Sequence, residues 1–256
     1  MTDLFGVTVV VTRPAHQADV LCQSIKELGG VALRFPVIEI GPSTDIDGLK
    51  NQLSHLSDFQ LAIFVSANAV APAMHILKDM QGWPAGVPIA TVGQATAKAV
   101  TANGLTASYI APEPFNSEAL LSLPVLQRLE GKRVIIFRGK GGLELLGDSL
   151  RERGAEVEYA ECYERVKPET DTTTIFQIWD EGCTMPIVVT SNEGLENLYS
   201  MIDSAHQPAL LSSPLIVVSQ RAAALAKALG FKQAPLVAKS ASNDAIISAI
   251  KQWKAT

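Results

Sequence analysis

The chain repeats itself. Residues 6–40 lie over residues 131–165 without a gap at an offset of 125. Eight of those 35 positions are identical: Gly6/Gly131, Val9/Val134, Arg13/Arg138, Leu21/Leu146, Ser24/Ser149, Glu27/Glu152, Gly29/Gly154 and Glu39/Glu164. Unrelated segments of this composition would share about two. The corner Val65-Ser66 falls on Thr190-Ser191 at the same offset, and a one-residue slip brings Asn68 onto Asn192. Residues 88–120 then match residues 214–246 at an offset of 126, pairing Pro88/Pro214, Val92/Val218, Gln94/Gln220, Ala97/Ala223 and Gly104/Gly230. Three blocks followed by the same three blocks imply two copies of one folding unit. A chain of 256 residues can give each copy its own core.

Every block reads as a strand followed by a helix. The run VTVVVT at 7–12 is continuously apolar and β-branched, fit for a strand buried on both faces, and Pro14 suits the first turn of a helix that stops at Gly29-Gly30. Its second copy is RVIIFR at 133–138, the glycine-rich GKGG, a helix through LELLGDSLRERG and the strand EVEYAECYERV. LAIFVS and PIVVTS are the block-two strands, with Ser66, Asn68, Ser191 and Asn192 placed to cap the helices that follow. PIATVG and PLIVVS are the block-three strands, and Ser117 and Ser242 or Asn243 stand as caps of the closing helices. Strands alternating with helices predict two doubly wound α/β domains with parallel sheets.

In such sheets ligands settle beyond the carboxyl ends of the strands, where helix N-termini offer unpaired N–H groups and a positive dipole end. The residues at those ends are Arg13, Ser66, Asn68, Gln94, Arg138, Lys140, Ser191, Asn192, Ser219, Gln220 and Arg221. Each Ser or Asn taken singly is most often a plain cap, but here every strand end on the expected ligand side carries a small polar residue or an arginine.

Charge decides how a ligand could be held. The net charge is −5 with 18% charged residues, so the overall field repels polyanions and nucleic acid is not an expected partner. An acidic ligand must rely on local cations and backbone amides. Cys22, Cys162 and Cys183 are scattered without metal-ligand spacing and read as buried reduced thiols, and the four histidines are dispersed. Neither a basic signal-peptide start nor an apolar run of membrane-spanning length occurs, so a cytoplasmic location is expected. TRPAHQ and RGKGGLE fit neither the dinucleotide fingerprint nor the Walker A spacing, and no Gly-x-Ser-x-Gly elbow is present. Such a site positions its ligand rather than offering a strong nucleophile or a metal.

The series VVVTRP, LGG to PVIEI, IFVSANAV, IATVGQATAKAV, IIFRGKGGLELLGDSLRERGAEVEYAECYER, VVTSNEGLENL and VVSQRAAALAKALGF resembles the uroporphyrinogen-III synthase family over nearly the whole chain. Each motif is degenerate, but their order is specific. The resemblance implies a discontinuous first domain (1–36 with 168–256), a second domain (41–160), connector strands at 36–40 and 162–167, and an active site in the interdomain cleft. A two-strand hinge implies large domain motion. It further implies a cofactor-free, monomeric lyase that closes hydroxymethylbilane, a linear tetrapyrrole polycarboxylate, to uroporphyrinogen III with loss of water and inversion of ring D. Tyr163 matches the family's tyrosine after the connector and would donate to the departing hydroxyl. The polar strand ends would bind carboxylates and pyrroles. Ser219-Gln220-Arg221 stands where some relatives have Pro-Thr-Thr. Two other classes fit the bare fold: a non-enzymatic two-domain small-molecule binder, and a nucleotide-dependent transferase, which the missing glycine fingerprint disfavours.

Overall fold

Short apolar runs with buried neighbours on both sides become the central strands of two parallel sheets. The computed structural model describes residues 3–142 and 144–255, with only the backbone at His16. Contacts divide the chain into two units, Met1–Glu39 with Val166–Thr256, and Ile40–Arg165. Elements are numbered along the chain.

In the first unit, β1 (Thr8–Val11) lies between β2 (Val31–Arg34) and β9 (Ile187–Val189), and β10 (Leu215–Val217) and β11 (Leu236–Val237) extend the sheet in the order β11-β10-β9-β1-β2. All pairs are parallel. The pleat sorts the side chains. Val9, Val11, Val188 and Ile216 pack with α1 (Ala15–Glu27) and α11 (Asn243–Lys254). Val10, Ile187, Val189 and Val217 pack on the other face with α7 (Thr173–Asp180), α8 (Asn192–Met201), α9 (Gln207–Ser212) and α10 (Gln220–Leu229). Helices on both faces explain why these strands read as continuous apolar runs.

The second unit repeats the plan. Its strands β3 (Glu39–Pro42), β4 (Leu61–Phe64), β5 (Ile89–Thr91), β6 (Tyr109–Ile110), β7 (Arg133–Gly139) and β8 (Glu156–Val166) lie in the order β3-β8-β7-β4-β5-β6. Phe64, Ile135 and Phe137 pack with α2 (Ile46–Ser54), α3 (Ala67–Lys78) and α4 (Gln94–Ala102). Ile63, Val134 and Ile136 pack with α5 (Ser117–Leu121) and α6 (Leu145–Glu152). Setting β7 on β1 and β8 on β2, as the repeat requires, gives both sheets one strand order, second-first-third-fourth-fifth, with β3 added at one edge. This is the doubly wound order whose reversal point lies between the first and third strands.

Several local details differ from the sequence reading. Of residues 36–40 only Glu39 and Ile40 are in a strand, while Val37 and Ile38 are buried in the first unit's core. Backbone carbonyls hold that stretch: Pro36 O accepts from Thr170 Oγ1 at 2.7 Å and Val37 O from Asn197 Nδ2 at 2.9 Å. Asn116, not Ser117, caps α5, its Oδ1 accepting from Ala119 N at 2.8 Å, and Ser242, not Asn243, caps α11. Cys22 and Cys162 are buried, but Cys183 is exposed because it lies in the turn between α7 and β9. Burial pushes the Cys162 thiol up to about 12, so it stays protonated at neutral pH.

One irregularity shapes the second unit. β7 and β8 run in register from Arg133↔Glu156 to Arg138↔Glu161, and then Gly139 pairs with Tyr163. The extra residue in β8 makes a bulge. Cys162 and Tyr163, adjacent in sequence, therefore enter the same core cluster where a regular strand would send them to opposite faces.

Candidate active site

In the second unit, β4 runs out through Val65 into Ser66, which caps α3 by accepting from Asn68 N at 3.2 Å. The bulge aims Tyr163 at the same spot. Its phenol donates to Ser66 Oγ at 3.2 Å and its side chain is 2% exposed. The Tyr163 carbonyl accepts from Lys140 N at 2.8 Å, and the ring lies so close over Gly139 that a Cβ there would stand 2.6 Å from Cζ. Tyr163, Ser66 and the start of the 139–142 loop thus form one connected group beside the strand-order reversal of this sheet. Asn68 is half-buried in the first turn of α3. Gln94 is exposed at the start of α4, whose cap residue Gly93 offers no side-chain acceptor. Lys140 is exposed, with Thr44 Oγ1 at 3.0 Å and Glu164 at 3.7 Å.

Arg138 is elsewhere. Its side chain, 8% exposed, leaves the sheet on the α5/α6 face and stacks on Tyr159, the guanidinium carbon 3.6 Å from the ring centroid. Glu161 and Glu144 lie 3.2 and 3.7 Å from Nη2.

The first unit presents a similar edge. Ser191 caps α8 by accepting from Gly194 N at 3.0 Å, with Asn192 half-buried in the first turn. Ser219 caps α10 by accepting from Ala222 N at 3.1 Å, and Gln220 and Arg221 are exposed just beyond it. Arg13 is half-buried, donating to Asn243 Oδ1 at 2.6 Å and to Ala241 O; burial lowers its pKa from the ordinary arginine value. Arg221 has no ion-pair partner among the described residues, which leaves its charge available to an anion.

The partners of Arg13 and Arg138 escape sequence reasoning. Glu161 reaches Arg138 only through the register of β7 on β8, and Ala241 and Asn243 reach Arg13 from 228 and 230 residues away. No local spacing signals either contact. Phe115 escapes it too. It is 38% exposed with φ of 57°, near the Gly93 cap of α4.

A cavity of about 690 Å3 lies among Ile40, Ile46, Leu49, Pro72, Ile76 and Cys162, and none of the polar strand-end residues lines it. Among the described residues no group of three or more His, Cys, Asp or Glu could hold a metal ion. No described helix is long and apolar enough to cross a membrane.

Two doubly wound α/β units, the second with a part-buried Tyr163–Ser66 pair at its strand ends, define a protein of the two-domain α/β class. Solved structures share that fold: a mutant uroporphyrinogen III synthase from Thermus thermophilus at a TM-score of 0.60 and 19% identity, covering 96% of this chain and 98% of that one. The uroporphyrinogen-III synthetase of Helicobacter pylori 26695 also gives 0.60, at 15% identity, covering 96% and 99%. The uroporphyrinogen-III synthase HemD family model matches residues 19–248. The uroporphyrinogen-III synthases of Salmonella typhimurium and Escherichia coli K12 are 37% and 38% identical over 248 residues, which is 96% of this chain and all of each relative. The chain belongs to the uroporphyrinogen-III synthase family, enzymes of porphyrin biosynthesis that cyclise hydroxymethylbilane.

Proposed function

We propose that the protein closes hydroxymethylbilane to uroporphyrinogen III with release of one water and inversion of ring D, as a cytoplasmic monomer. The observation that carries this reading is the identity of 37–38% over the full length of two uroporphyrinogen-III synthases. The chemistry of the edges supports it. A flexible polycarboxylate needs donors that a chain of net charge −5 cannot provide by its overall field, and helix N-termini provide them locally. Binding draws on both edges: Ser191, Asn192, Ser219, Gln220 and Arg221 in the first unit, and Ser66, Asn68, Gln94 and Lys140 in the second. The pyrroles supply their own electron push, so the protein's task is to fold the chain and exclude uninverted closure.

Purified protein mixed with hydroxymethylbilane, followed by separation of isomers, tests the reading. The III isomer is expected in excess; a product mixture no different from spontaneous closure to the I isomer would reject it.

Tyr163 is the proposed proton donor to the departing hydroxyl. Its phenol is already engaged with Ser66, so donation requires that bond to open or to pass the proton through the serine. Tyr163→Phe removes one hydrogen bond and is expected to cost about 1 kcal/mol of stability while lowering kcat by about tenfold or more. Wild-type kcat in a folded Tyr163→Phe protein would take the residue out of the chemistry.

A further inference from the structure

We propose that Arg138 is a positioning residue: it fixes the 139–142 loop from the face of the sheet opposite Tyr163 and does not itself hold a substrate carboxylate. The proposal rests on the function above and concerns how the same edge is built.

Alternation along β7 places the side chain. Phe137 packs toward α2, α3 and α4, while Ile136 packs toward α6, so Arg138 leaves on the α6 side. There it lies flat on Tyr159, which in turn packs against the α5/α6 cluster. Tyr159 also lies close over α6, where a Cβ on Gly147 would run into its hydroxyl. The fork of Arg138 is engaged within its own unit. Nη1 donates to Gly142 O at 3.1 Å, Nη2 to Glu161 at 3.2 Å with Glu144 at 3.7 Å, and Nε is buried with no hydrogen-bond partner. A guanidinium already facing two carboxylates and closed to water would have to break those pairs before it could meet a third.

What the fork does hold is the loop. Gly142 is tied by Arg138 on one face, and Gly139 and Lys140 are tied by the Tyr163 ring and carbonyl on the other. Between them Gly141 takes a left-handed φ of 69°, which glycine adopts without strain. The loop that follows β7 is therefore gripped at both ends.

The repeat supplies an independent case. Arg13, the mate of Arg138 at the 125-residue offset, also turns back on its own unit. It bonds Ala241 O and Asn243 Oδ1 and so ties the segment before α11 to the end of β1. Both copies of one arginine engage a loop carbonyl of their own sheet edge.

The test compares Arg138→Lys, Arg138→Gln and Glu161→Gln in kcat and KM, with thermal unfolding as the control for folding. Lysine keeps the charge but cannot stack and fork at once. Under the proposal Arg138→Lys and Arg138→Gln both lose about 100-fold in kcat with KM changed less than about threefold. Glu161→Gln also lowers kcat, by a smaller factor of about five, and leaves KM in place. The proposal is overturned if Arg138→Lys keeps wild-type kcat while Arg138→Gln raises KM about tenfold, or if Glu161→Gln lowers KM because the freed arginine binds substrate better. Should Arg138→Gln fail to fold, the direction of the KM change in Glu161→Gln still decides. Production of the III isomer by the unaltered protein in the same assay keeps this outcome separate from the functional reading.

Discussion

Phe137→Ala is expected to destabilise the second unit by about 3–5 kcal/mol. Phe137 is fully buried on a central strand, stacked on Phe64 with centroids 4.3 Å apart and planes at 18°, with Trp83 tilted against it at 6.0 Å. Truncation removes the transfer contribution of the ring and leaves a hole bounded by β-sheet backbone and by Phe64, neither of which can collapse inward. The aromatic pairing adds about 0.5–1.5 kcal/mol beyond the area buried. Trp83 belongs to the second unit, whereas Trp179 and Trp253 lie in the first. Denaturant unfolding followed by fluorescence, with Trp83→Phe as a control, can therefore assign the shifted transition. A midpoint change worth less than about 1 kcal/mol would contradict this packing of Phe137. In a Phe64→Ala background the cost should fall, since the partner ring is already gone.

Gly139→Ala is the second large effect, and it joins stability to activity. The backbone at Gly139 is not among the left-handed glycines, so the objection to alanine is purely steric. Its Cβ would lie 2.6 and 2.7 Å from the Cζ and Cε2 atoms of Tyr163 and 3.0 Å from the phenol oxygen. A ring that is 2% exposed has little room to yield. Either the ring moves off Ser66 or the 139–142 loop lifts away from β8. We expect a loss of about 1–3 kcal/mol and a fall in kcat of about tenfold or more. Placing Gly139→Ala in a Tyr163→Ala background should recover most of the stability cost, because the obstructing atoms are then absent. An alanine variant as stable and as active as the parent would show that the close approach does not matter.

The contrast between Ser66 and Arg138 marks how far local reading reaches. Ser66, Ser191 and Ser219 are legible as caps, because a serine between an apolar run and a helix has one dominant use and the bond spans only two or three residues. The central strands are legible for a related reason: buried parallel strands are continuous apolar runs, and LAIF, RVIIF and IVV announce themselves. α2 and α7 escape such reading. Each lies between a crossing segment and a block-two strand, outside the parts of the repeat that align residue by residue.

Arg138 and Arg13 are equally visible as strand-end cations, and their position on the chain makes them look available. Each already has a partner far away in the chain, Glu161 at 23 residues from Arg138 and Ala241 at 228 residues from Arg13. Tyr163 is marked by the family resemblance, but nothing local shows that its ring enters the core beside Cys162. A bulge makes that happen, and a bulge is a property of two paired strands.

The duplicated plan, the alternation of strands and helices and the polar character of the strand ends are legible along the chain, and the ordered motifs carry the resemblance to uroporphyrinogen-III synthases. These follow from periodicity, caps and repeated motifs, which act over a few residues or are copied whole. Folding, by contrast, sets which strand-end arginine lies against carboxylates, which face Tyr163 occupies and what holds the 139–142 loop. Those depend on strand register, and register is set by the summed packing of segments far apart in the chain.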